Sequence, residues 1–432
     1  MKTKNLITIK EHCSFVCGED GKEIDGYVKL DKRTFFQLED FILTNKTKDT
    51  DALDLLGLSA KKGIGKVITA KNYVGVISMS DGTTIEILPK IYSKENCSDT
   101  KVKSLLIDML KTLSNFPYKS FHTSTLDIEK MAIFEVFIRM FLDEVFLIVK
   151  RGLKCNYETI NCNDMVYKGK MRFAQHIKEN SAHKERCFVE FDEFNINRAE
   201  NKLIKKTLID LFHQSVSGKN RSDIRTLLYS FNDVDASVDH TEDFSKCVPD
   251  RNMKDYSTAL LWCKVFLQKK SFTPFSGSEV AFALLFPMET LFESYVAAKI
   301  KRELNAEKFS VSIQDTSYAL FDCPNRKFVL RPDIVVRRKT DKAIFILDTK
   351  WKVLSDTKNN YGISQPDMYQ MYAYQKKYKA QYVTLLYPLT DRLPTSKEIK
   401  FQSSDGVTVM VKLVDLFDVK NSLSDIVSCF DD

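Results

Sequence analysis

The chain has 432 residues, 44% of them hydrophobic, so it is too long for one ordinary core and apolar enough to fold as two or three domains. Its 65 basic and 58 acidic residues leave a net charge of +7, a mild excess that proves no contact with nucleic acid by itself. Ten cysteines and six histidines are scattered without a zinc spacing, and no signal-type apolar segment follows Met1, so we expect reduced thiols in a cytoplasmic protein.

Residues 1–115 are predicted to form a mainly β N-terminal domain. Short apolar runs at Gly65–Ile68 and Gly75–Ile77 lead to the pair Asp81-Gly82, and the alternating run Thr84–Ile91 follows. Alternating apolar residues on both sides of Asp-Gly are typical of a β-hairpin. The region therefore reads as mainly β, with alternating segments and turn residues.

Residues 116–270 are predicted to be mostly helical, with helices over Met131–Lys150 and Asn195–Gln214. The stretch from Met131 to Val149 is the most apolar long segment of the chain. Polar residues recur along it at four-residue steps, which makes a polar stripe on one helical face: Glu135, Arg139 and Asp143. This pattern predicts an amphipathic core helix and argues against a membrane span.

Residues 271–432 are predicted to form an α/β domain with a mixed central sheet. Its first helix begins at Pro287, since proline suits a first helical turn and an apolar stripe runs from Met288 to Val296. Glu293 lies beside that stripe. It either reaches a site shared with the following strands or is an ordinary exposed helix glutamate.

Two apolar β-type runs joined by a short charged turn, within Phe328–Lys352, carry two aspartates and a lysine. Asp333 stands between the triplets Phe-Val-Leu and Ile-Val-Val. Asp348 follows the apolar run Ala343–Leu347, and Lys350 comes two residues later. Residues two apart on a strand share a face, so Asp348 and Lys350 should project together while Thr349 turns into the core.

These residue types suit a metal-dependent phosphodiesterase. A divalent ion held by carboxylates neutralises a phosphodiester and activates a water. Magnesium takes oxygen ligands and usually only one or two protein carboxylates, a role that fits Asp333 and Asp348. The Lys350 ammonium would stabilise developing charge or orient the attacking water, and Thr349 has a backbone carbonyl to offer to the metal.

The Asp-Thr-Lys triplet alone is weak evidence, because it also occurs at Asp99–Lys101 and Asp356–Lys358. Those two copies lie among Ser, Asn and Lys, which is typical of solvated loops. Asp333 and Asp348 adjoin apolar strands, where a carboxylate is costly unless it is paired or bound to metal. The alternative is a set of structural Asp–Lys or Asp–Arg salt bridges at strand ends.

A second helix is predicted after Ser364, which has an acidic residue three places on, at Asp367. We expect Asp367 to cap this helix rather than bind metal. Gln370 and Tyr374 are one turn apart and share a face. Two strand-like runs follow, at Tyr382–Tyr387 and Val407–Val411.

Basic residues crowd the proposed site and are suited to holding phosphates on either side of a cut. For any single one of them, a solvated charged surface is the alternative. They are Arg331, Arg337, Arg338, Lys342, Lys350 and Lys352, with Lys376, Lys377 and Lys379 after the next helix.

The order helix, strand with Asp, strand with Asp-x-Lys, helix with Gln-x-x-x-Tyr, strand resembles the PD-(D/E)xK nuclease superfamily. The run Ile85–Ile91, Ile-Glu-Ile-Leu-Pro-Lys-Ile, resembles the N-terminal signature of the McrC family, the nuclease subunit of McrBC-type restriction systems. Together the similar phrases extend from about residue 60 to residue 390 in the expected order, whereas the first fifty residues match poorly and Lys219–Val248 looks like an insertion. The further phrases are Tyr167–Met171, Phe191–Phe194, Asn197–Lys205, Leu291–Val296 and Asp367–Tyr374.

The resemblance implies a double-strand DNA endonuclease subunit that depends on Mg²⁺, for which Mn²⁺ can substitute. It implies metal ligands at Asp333 and Asp348 with Glu293 as a helper, Lys350 as the catalytic lysine, and Gln370 beside the metal site. It also implies an AAA+ McrB-like partner that binds GTP, recognises the DNA and is stimulated by this subunit, with the N-terminal region docking on the GTPase ring. The chain has no Gly-x-x-x-x-Gly-Lys-Ser/Thr loop of its own, which agrees with GTP being bound by the partner.

Two other hypotheses remain open. One is an assembly and GTPase-activating subunit with a vestigial nuclease site, against which the intact Asp333, Asp348 and Lys350 count. The other is a stand-alone repair nuclease of the same superfamily, against which the N-terminal phrases count.

Overall fold

The structure is a computed structural model that describes residues 6–18, 26–44, 55–79, 83–91, 98–113, 131–247, 253, 255–267, 281–393 and 399–430. The chain divides into two compact units, each discontinuous in sequence. The first comprises Met1–Phe116, Leu126–Ile133 and Ser271–Asp432, and the second comprises Pro117–Thr125 and Phe134–Lys270. The predicted N-terminal and C-terminal segments therefore fall in one unit, while the three-domain division itself stays a prediction.

The N-terminal part of the first unit is mainly β, and its two four-stranded sheets share a core of buried apolar side chains. Strands β6 and β7 pair antiparallel as the alternation predicts, while the expected turn at Asp81-Gly82 lies outside the described residues. One sheet has the order β3-β2-β5-β4. The elements are β1 (Leu6–Lys10), β2 (Ser14–Cys17), β3 (Tyr27–Leu30), α1 (Lys32–Thr44), β4 (Leu56–Lys61), β5 (Gly65–Ala70), β6 (Tyr73–Met79), β7 (Thr84–Leu88) and α2 (Asp99–Leu110).

The other N-terminal sheet is completed by a strand from far along the chain, β11 (Ala281–Pro287), in the order β1-β7-β6-β11. Strand β11 pairs antiparallel with β6, from Ala281 opposite Met79 to Pro287 opposite Tyr73. Gly75 has φ +139, and a Cβ there would lie 2.0 Å from a β11 carbonyl oxygen. Only glycine allows so close an approach of the two backbones.

The second unit is mostly helical, as predicted, but it also holds an antiparallel sheet of order β8-β10-β9 that the sequence analysis did not predict. The helix predicted from Asn195 begins at Ala199, because β10 extends to Asn195. The elements are α3 (Ile133–Arg151), β8 (Asn156–Asp164), β9 (Lys170–Met171), α4 (Phe173–Glu179), β10 (Cys187–Asn195), α5 (Ala199–Gln214), α6 (Gly218–Ser230), α7 (His240–Lys246) and α8 (Ser257–Leu267).

The polar residues along helix α3 have hydrogen-bond and ion-pair partners inside the protein. Arg139 is paired with Asp143 at 2.6 Å and also with Asp223, and Glu135 accepts hydrogen bonds from Ser215 Oγ and Asn220 Nδ2, each at 2.8 Å. Buried charges are tolerated when they are paired and hydrogen-bonded in this way. Within the described ranges, no helix has the length and apolar character needed to cross a bilayer.

The C-terminal part of the first unit has α/β structure around a mixed six-stranded sheet of order β12-β15-β16-β17-β19-β18. Strands β16, β17 and β19 run parallel to one another, and the other neighbours are antiparallel. The elements are α9 (Met288–Glu303), β12 (Phe309–Ile313), β13 (Ala319–Phe321), β14 (Lys327–Val329), β15 (Ile334–Arg338), β16 (Ile344–Thr349), α10 (Gln365–Tyr378), β17 (Tyr382–Pro388), β18 (Ile399–Gln402), β19 (Thr408–Val414) and α11 (Val419–Ser428).

Helices cover both faces of this sheet. Ile346 belongs to the core cluster that includes Met371 and Tyr374 of α10. The neighbouring Phe345 points the other way and packs on Phe430, just after α11, with ring centroids 4.9 Å apart. Burial on both faces explains why β16 reads as a continuous apolar run.

One expectation about the strand that carries Asp333 is wrong. Phe328 and Val329 do not continue the buried strand but belong to β14, an exposed strand that pairs with β13 in a separate two-stranded sheet. Strand β15 begins only at Ile334. Apolar character alone does not separate a buried strand from an exposed hairpin, which is why the sequence misled here.

Candidate active site

Three polar residues lie in a row across the ends of neighbouring strands in the C-terminal sheet. Ile313, Ile334 and Leu347 face one another in register on β12, β15 and β16. Continuing the register by one residue places Gln314, Asp333 and Asp348 side by side. Directly opposed residues of antiparallel strands have Cβ atoms about 5 Å apart. The sheet thus brings together the two aspartates singled out from the sequence.

Asp348 is almost completely buried, with 1% of its surface exposed, and its partner is Lys350. The Lys350 Nζ lies 2.5 Å from Asp348 Oδ2, so the two side chains project together as the strand alternation predicts. Burial raises the pKa of Asp348 to about 7, and the charge of Asp333 adds to the rise while Lys350 opposes it. For Lys350, burial acts to lower the pKa, but the charges of Asp348 and Asp333 raise it above the usual value.

Asp333 is held by the backbone and side chain of the strand beside it. Its Oδ2 accepts hydrogen bonds from the Thr349 N–H and the Thr349 hydroxyl, each at 2.7 Å. Thr349 is buried as expected, but its hydroxyl contacts the site. Burial raises the pKa of Asp333, and the bonds from Thr349 oppose that rise.

Glu293 of α9 approaches the same cluster through Gln314, a residue that the sequence analysis missed. The Gln314 side-chain amide donates to Glu293 Oε1 and also, at 3.4 Å, to Asp333 Oδ1. Burial raises the pKa of Glu293, and the charge of Asp333 adds to the effect. Gln314 therefore bridges two carboxylates that repel each other. No motif in the sequence marks it, because its position follows only from strand register.

Helix α10 places two polar side chains over the lysine. Gln370 Oε1 accepts from Lys350 Nζ at 3.4 Å, and Gln370 Nε2 donates to the Tyr374 hydroxyl at 2.6 Å. The helix starts as predicted, with Ser364 Oγ accepting from the Asp367 N–H. Asp367 accepts a hydrogen bond from Lys352 Nζ at 2.9 Å, so its carboxylate already has a cationic partner.

The basic residues near the site have unequal roles. Arg331 is exposed, and its charge opposes the raised pKa of both Asp333 and Glu293, so it lies within electrostatic reach of the carboxylates. Arg337 instead pairs with Asp315, and Arg338 pairs with Asp341, each at 2.9 Å. Both arginines therefore form salt bridges with carboxylates outside the site.

A buried glutamate from the start of the chain contacts the residue after Lys350. Trp351 Nε1 lies 3.1 Å from both carboxylate oxygens of Glu11, and the Lys90 N–H donates to Glu11 at 2.8 Å. Burial raises the pKa of Glu11 to about 7. A cavity of about 360 Å³ opens beside this pair, and its lining includes Lys352 and Lys358. Sequence reasoning found no signal for Glu11, which lies outside every recognised motif.

The donor set fits a hard divalent cation. In the described part of the chain, no three His, Cys, Asp or Glu side chains form a ready-made metal cluster. Magnesium, however, needs only one or two protein carboxylates and keeps waters and phosphate oxygens for its other positions. Asp348 is buried and Asp333 is half-buried beside it. The charge of Asp333 helps to raise the pKa of Asp348, an effect that a bound cation would relieve.

The chain matches a known protein family over most of its length. The family described as McrBC 5-methylcytosine restriction system component matches residues 68–388. The chain belongs to the McrBC family. No curated protein matches it.

A solved structure has a similar fold. The McrBC-family chain matches a chain in the refined half-complex from a tetradecameric assembly of Thermococcus gammatolerans McrB AAA+ hexamers with bound McrC. The TM-score is 0.68 at 18% identity, covering 98% of this chain and 100% of the other. A match to the cryo-EM structure of the Thermococcus gammatolerans McrBC complex has a TM-score of 0.49 at 19% identity, covering 70% and 88%.

Proposed function

We propose that this McrBC-family chain is the Mg²⁺-dependent DNA endonuclease subunit of a GTP-dependent restriction system. It cuts double-stranded DNA and stimulates the GTPase of an AAA+ McrB-like partner, which recognises the DNA. Family membership supports the restriction role. The partner is inferred from the matched structure, in which McrB AAA+ hexamers hold bound McrC.

The observation that carries the nuclease proposal is the under-compensated charge around Asp348. A carboxylate 1% exposed, next to a second carboxylate and offset by one ammonium, is an unfavourable arrangement for a purely structural site. Asp333 and Asp348 would hold Mg²⁺, or Mn²⁺ in its place, with Glu293 assisting from α9. The bound ion would neutralise the phosphodiester and lower the pKa of an attacking water.

The chain's own residues prepare this site. Lys350 holds its ammonium between Asp348 and the Gln370 carbonyl oxygen, where it can neutralise charge that develops on the phosphate. Tyr374 fixes the Gln370 amide and thereby the direction of its oxygen. Thr349 fixes one oxygen of Asp333, which leaves the other oxygen toward Gln314.

The decisive experiment uses the full chain with its genomically adjacent AAA+ protein, double-stranded DNA, Mg²⁺ and GTP. Wild type should cut, and Asp348→Asn or Lys350→Ala should abolish cutting while GTP hydrolysis is retained. Asp356→Asn is the matched control, because it alters an exposed copy of the same Asp-Thr-Lys triplet and should cut normally.

Each of the other outcomes leads to a different conclusion about the function of the chain. Undiminished cutting by both site variants would refute the assignment of Asp348 and Lys350. Stimulated GTP hydrolysis without scission under any metal would identify an assembly subunit with a vestigial site. Cutting without partner or nucleotide would identify a stand-alone nuclease.

A further inference from the structure

The β13–β14 hairpin, residues 319–329, exposes apolar surface and ends four residues before Asp333. Phe321 is 55% exposed, Phe328 is 71% exposed and Val329 is 50% exposed. Single exposed apolar residues are common, but three together on a short two-stranded sheet mark a contact surface. All three residues of β14 are exposed, so this strand contributes little to the core.

The backbone of the hairpin is distorted in a way that groups its aromatic rings. Phe321 faces Lys327 across the sheet, so alternation would turn the next residue, Phe328, to the opposite side. Phe328 instead has φ 56, a left-handed conformation that bulky residues rarely adopt. Its ring lies edge-on to Phe321, with centroids 6.0 Å apart and planes at 74°. An unfavourable backbone conformation thus places two rings together in solvent, which points to a use for them.

The hairpin is anchored to the helix that carries Gln370. At its base the Leu330 N–H donates to the Tyr318 carbonyl oxygen at 2.9 Å. The Tyr318 ring packs on Tyr378 of α10 with centroids 4.5 Å apart, and Lys377 of α10 pairs with Asp322 at 3.2 Å. These contacts fix the Phe321 and Phe328 rings relative to α10.

Basic residues outnumber acidic ones around the two rings, and the acidic residue of the hairpin, Asp322, is paired with Lys377. Lys327 and Arg326 lie on the hairpin, and the exposed Arg331 lies between it and Asp333. Val329 and Asp333 are four residues apart, a span of at most about 14 Å. That distance is about four base pairs of duplex DNA. Phe328 directly precedes Val329 and its ring contacts Phe321, so both rings lie close enough to Asp333 in the chain to contact the same duplex.

We infer that the β13–β14 hairpin is a DNA-contacting element, an inference that rests on the proposed nuclease function. Phe328 and Phe321 press against bases beside the scissile phosphate, and Lys327 and Arg326 contact the flanking phosphates. Aromatic or other apolar side chains inserted at a base step are a known means of deforming and holding a duplex. The positive charge around the rings favours DNA over a protein partner as the occupant.

The test measures affinity of the full chain for a fluorescein-labelled DNA duplex by anisotropy, in EDTA so that no cutting occurs, with and without the AAA+ partner. Phe328→Gly should weaken binding about tenfold, because it removes the ring. Glycine accepts φ 56, so the melting temperature should not fall, which separates loss of contact from loss of fold. Phe328→Tyr should restore most of the affinity. Lys327→Gln should reduce the salt dependence of binding by about one phosphate contact.

Matched controls are Tyr229→Ala, an aromatic residue 86% exposed in the second unit, and Lys420→Gln, an exposed lysine on α11. Both should bind DNA like wild type. Unchanged affinity in Phe328→Gly and Lys327→Gln would overturn the inference, as would loss of partner assembly with normal DNA binding. If wild type cuts DNA but the hairpin variants bind normally, only the hairpin assignment fails. Ring-dependent binding by a chain that never cuts would leave the hairpin standing and refute the nuclease function.

Discussion

Two buried aspartates near the C-terminal sheet, Asp315 and Asp348, differ sharply in how their charge is compensated. Burial acts to raise the pKa of Asp315, but hydrogen bonds from Arg337 and Ser317, with a further bond from Tyr378, lower it to about 2. At Asp348 burial and the charge of Asp333 raise the pKa to about 7, against the opposing effect of Lys350. Burial itself therefore does not distinguish a structural carboxylate from a functional one. The two kinds of carboxylate are distinguished by the balance between partners that stabilise the charge and groups that disfavour it.

The largest expected effect is on DNA cleavage by Asp348→Asn. This change removes the charge that would hold the cation, and we expect the rate to fall by at least about 10³-fold. Asp315→Asn should keep near-normal cleavage at temperatures where it remains folded, because Asp315 contacts Arg337 and Tyr378 rather than the site. Single-turnover cleavage assays of both variants at low temperature measure the difference. Equal losses would mean that Asp348 acts only through stability.

The second effect is on stability, and here Asp315 is the residue whose substitution is expected to do damage. Asp315→Asn leaves the Arg337 guanidinium without its charged partner and should lower the free energy of unfolding by about 3 kcal/mol. Urea denaturation measures this change. Asp341→Asn is the matched control, because it breaks the exposed pair with Arg338 and should change stability little. A small loss for Asp315→Asn would show that Arg337 finds another partner.

The third effect is the pH dependence of stability in the metal-free protein. An unfolded Asp348 loses its proton near pH 4, whereas the folded protein keeps it up to about pH 7. Between these values the folded state binds more protons, so this contribution to stability is complete below about pH 4 and is lost as pH rises through about 7. Asp315 acts in the opposite sense, and its contribution is lost as pH falls from about 4 toward 2.

Asp348→Asn should therefore reduce the decline in stability between about pH 4 and pH 8 by on the order of 2 kcal/mol. Glu11 also has a pKa raised to about 7, so a decline of the same sign should persist in this variant and shrink further in Glu11→Gln. Thermal unfolding across the pH range in EDTA measures both. A wild-type protein whose stability rises steadily through this range would contradict the raised pKa of Asp348.

The sequence was informative where local chemistry determines structure. The Ser364 cap, the helix after Pro287, the paired orientation of Asp348 and Lys350 and the polar stripe of α3 are consequences of spacing, and all appear in the structure. The placement of Gln314, the contact between Glu11 and Trp351 and the addition of β11 to the N-terminal sheet depend on long-range pairing. No residue pattern encodes that pairing locally. The prediction that Phe328 belongs to the buried strand before Asp333 was wrong for a related reason. Its apolar neighbours suit a buried strand and an exposed hairpin equally well.

The smallest expected effect tests whether Gln314 matters to metal binding. Its amide bridges Glu293 and Asp333, and both carboxylates have raised pKa values. Burial is the main cause for each, and the charge of Asp333 raises the pKa of Glu293 further. Side chains that orient metal-binding carboxylates typically contribute about tenfold or more to metal affinity. Gln314→Leu should therefore raise the Mg²⁺ concentration for half-maximal cleavage about tenfold, with little change in the rate at saturating Mg²⁺. Gln402→Leu, an exposed glutamine on β18, is the matched control and should leave the Mg²⁺ requirement unchanged. If the two variants share one Mg²⁺ dependence, the bridge is incidental to the site. If Gln314→Leu instead lowers the rate at saturating Mg²⁺, it supports the geometry of Asp333 rather than its affinity for the ion.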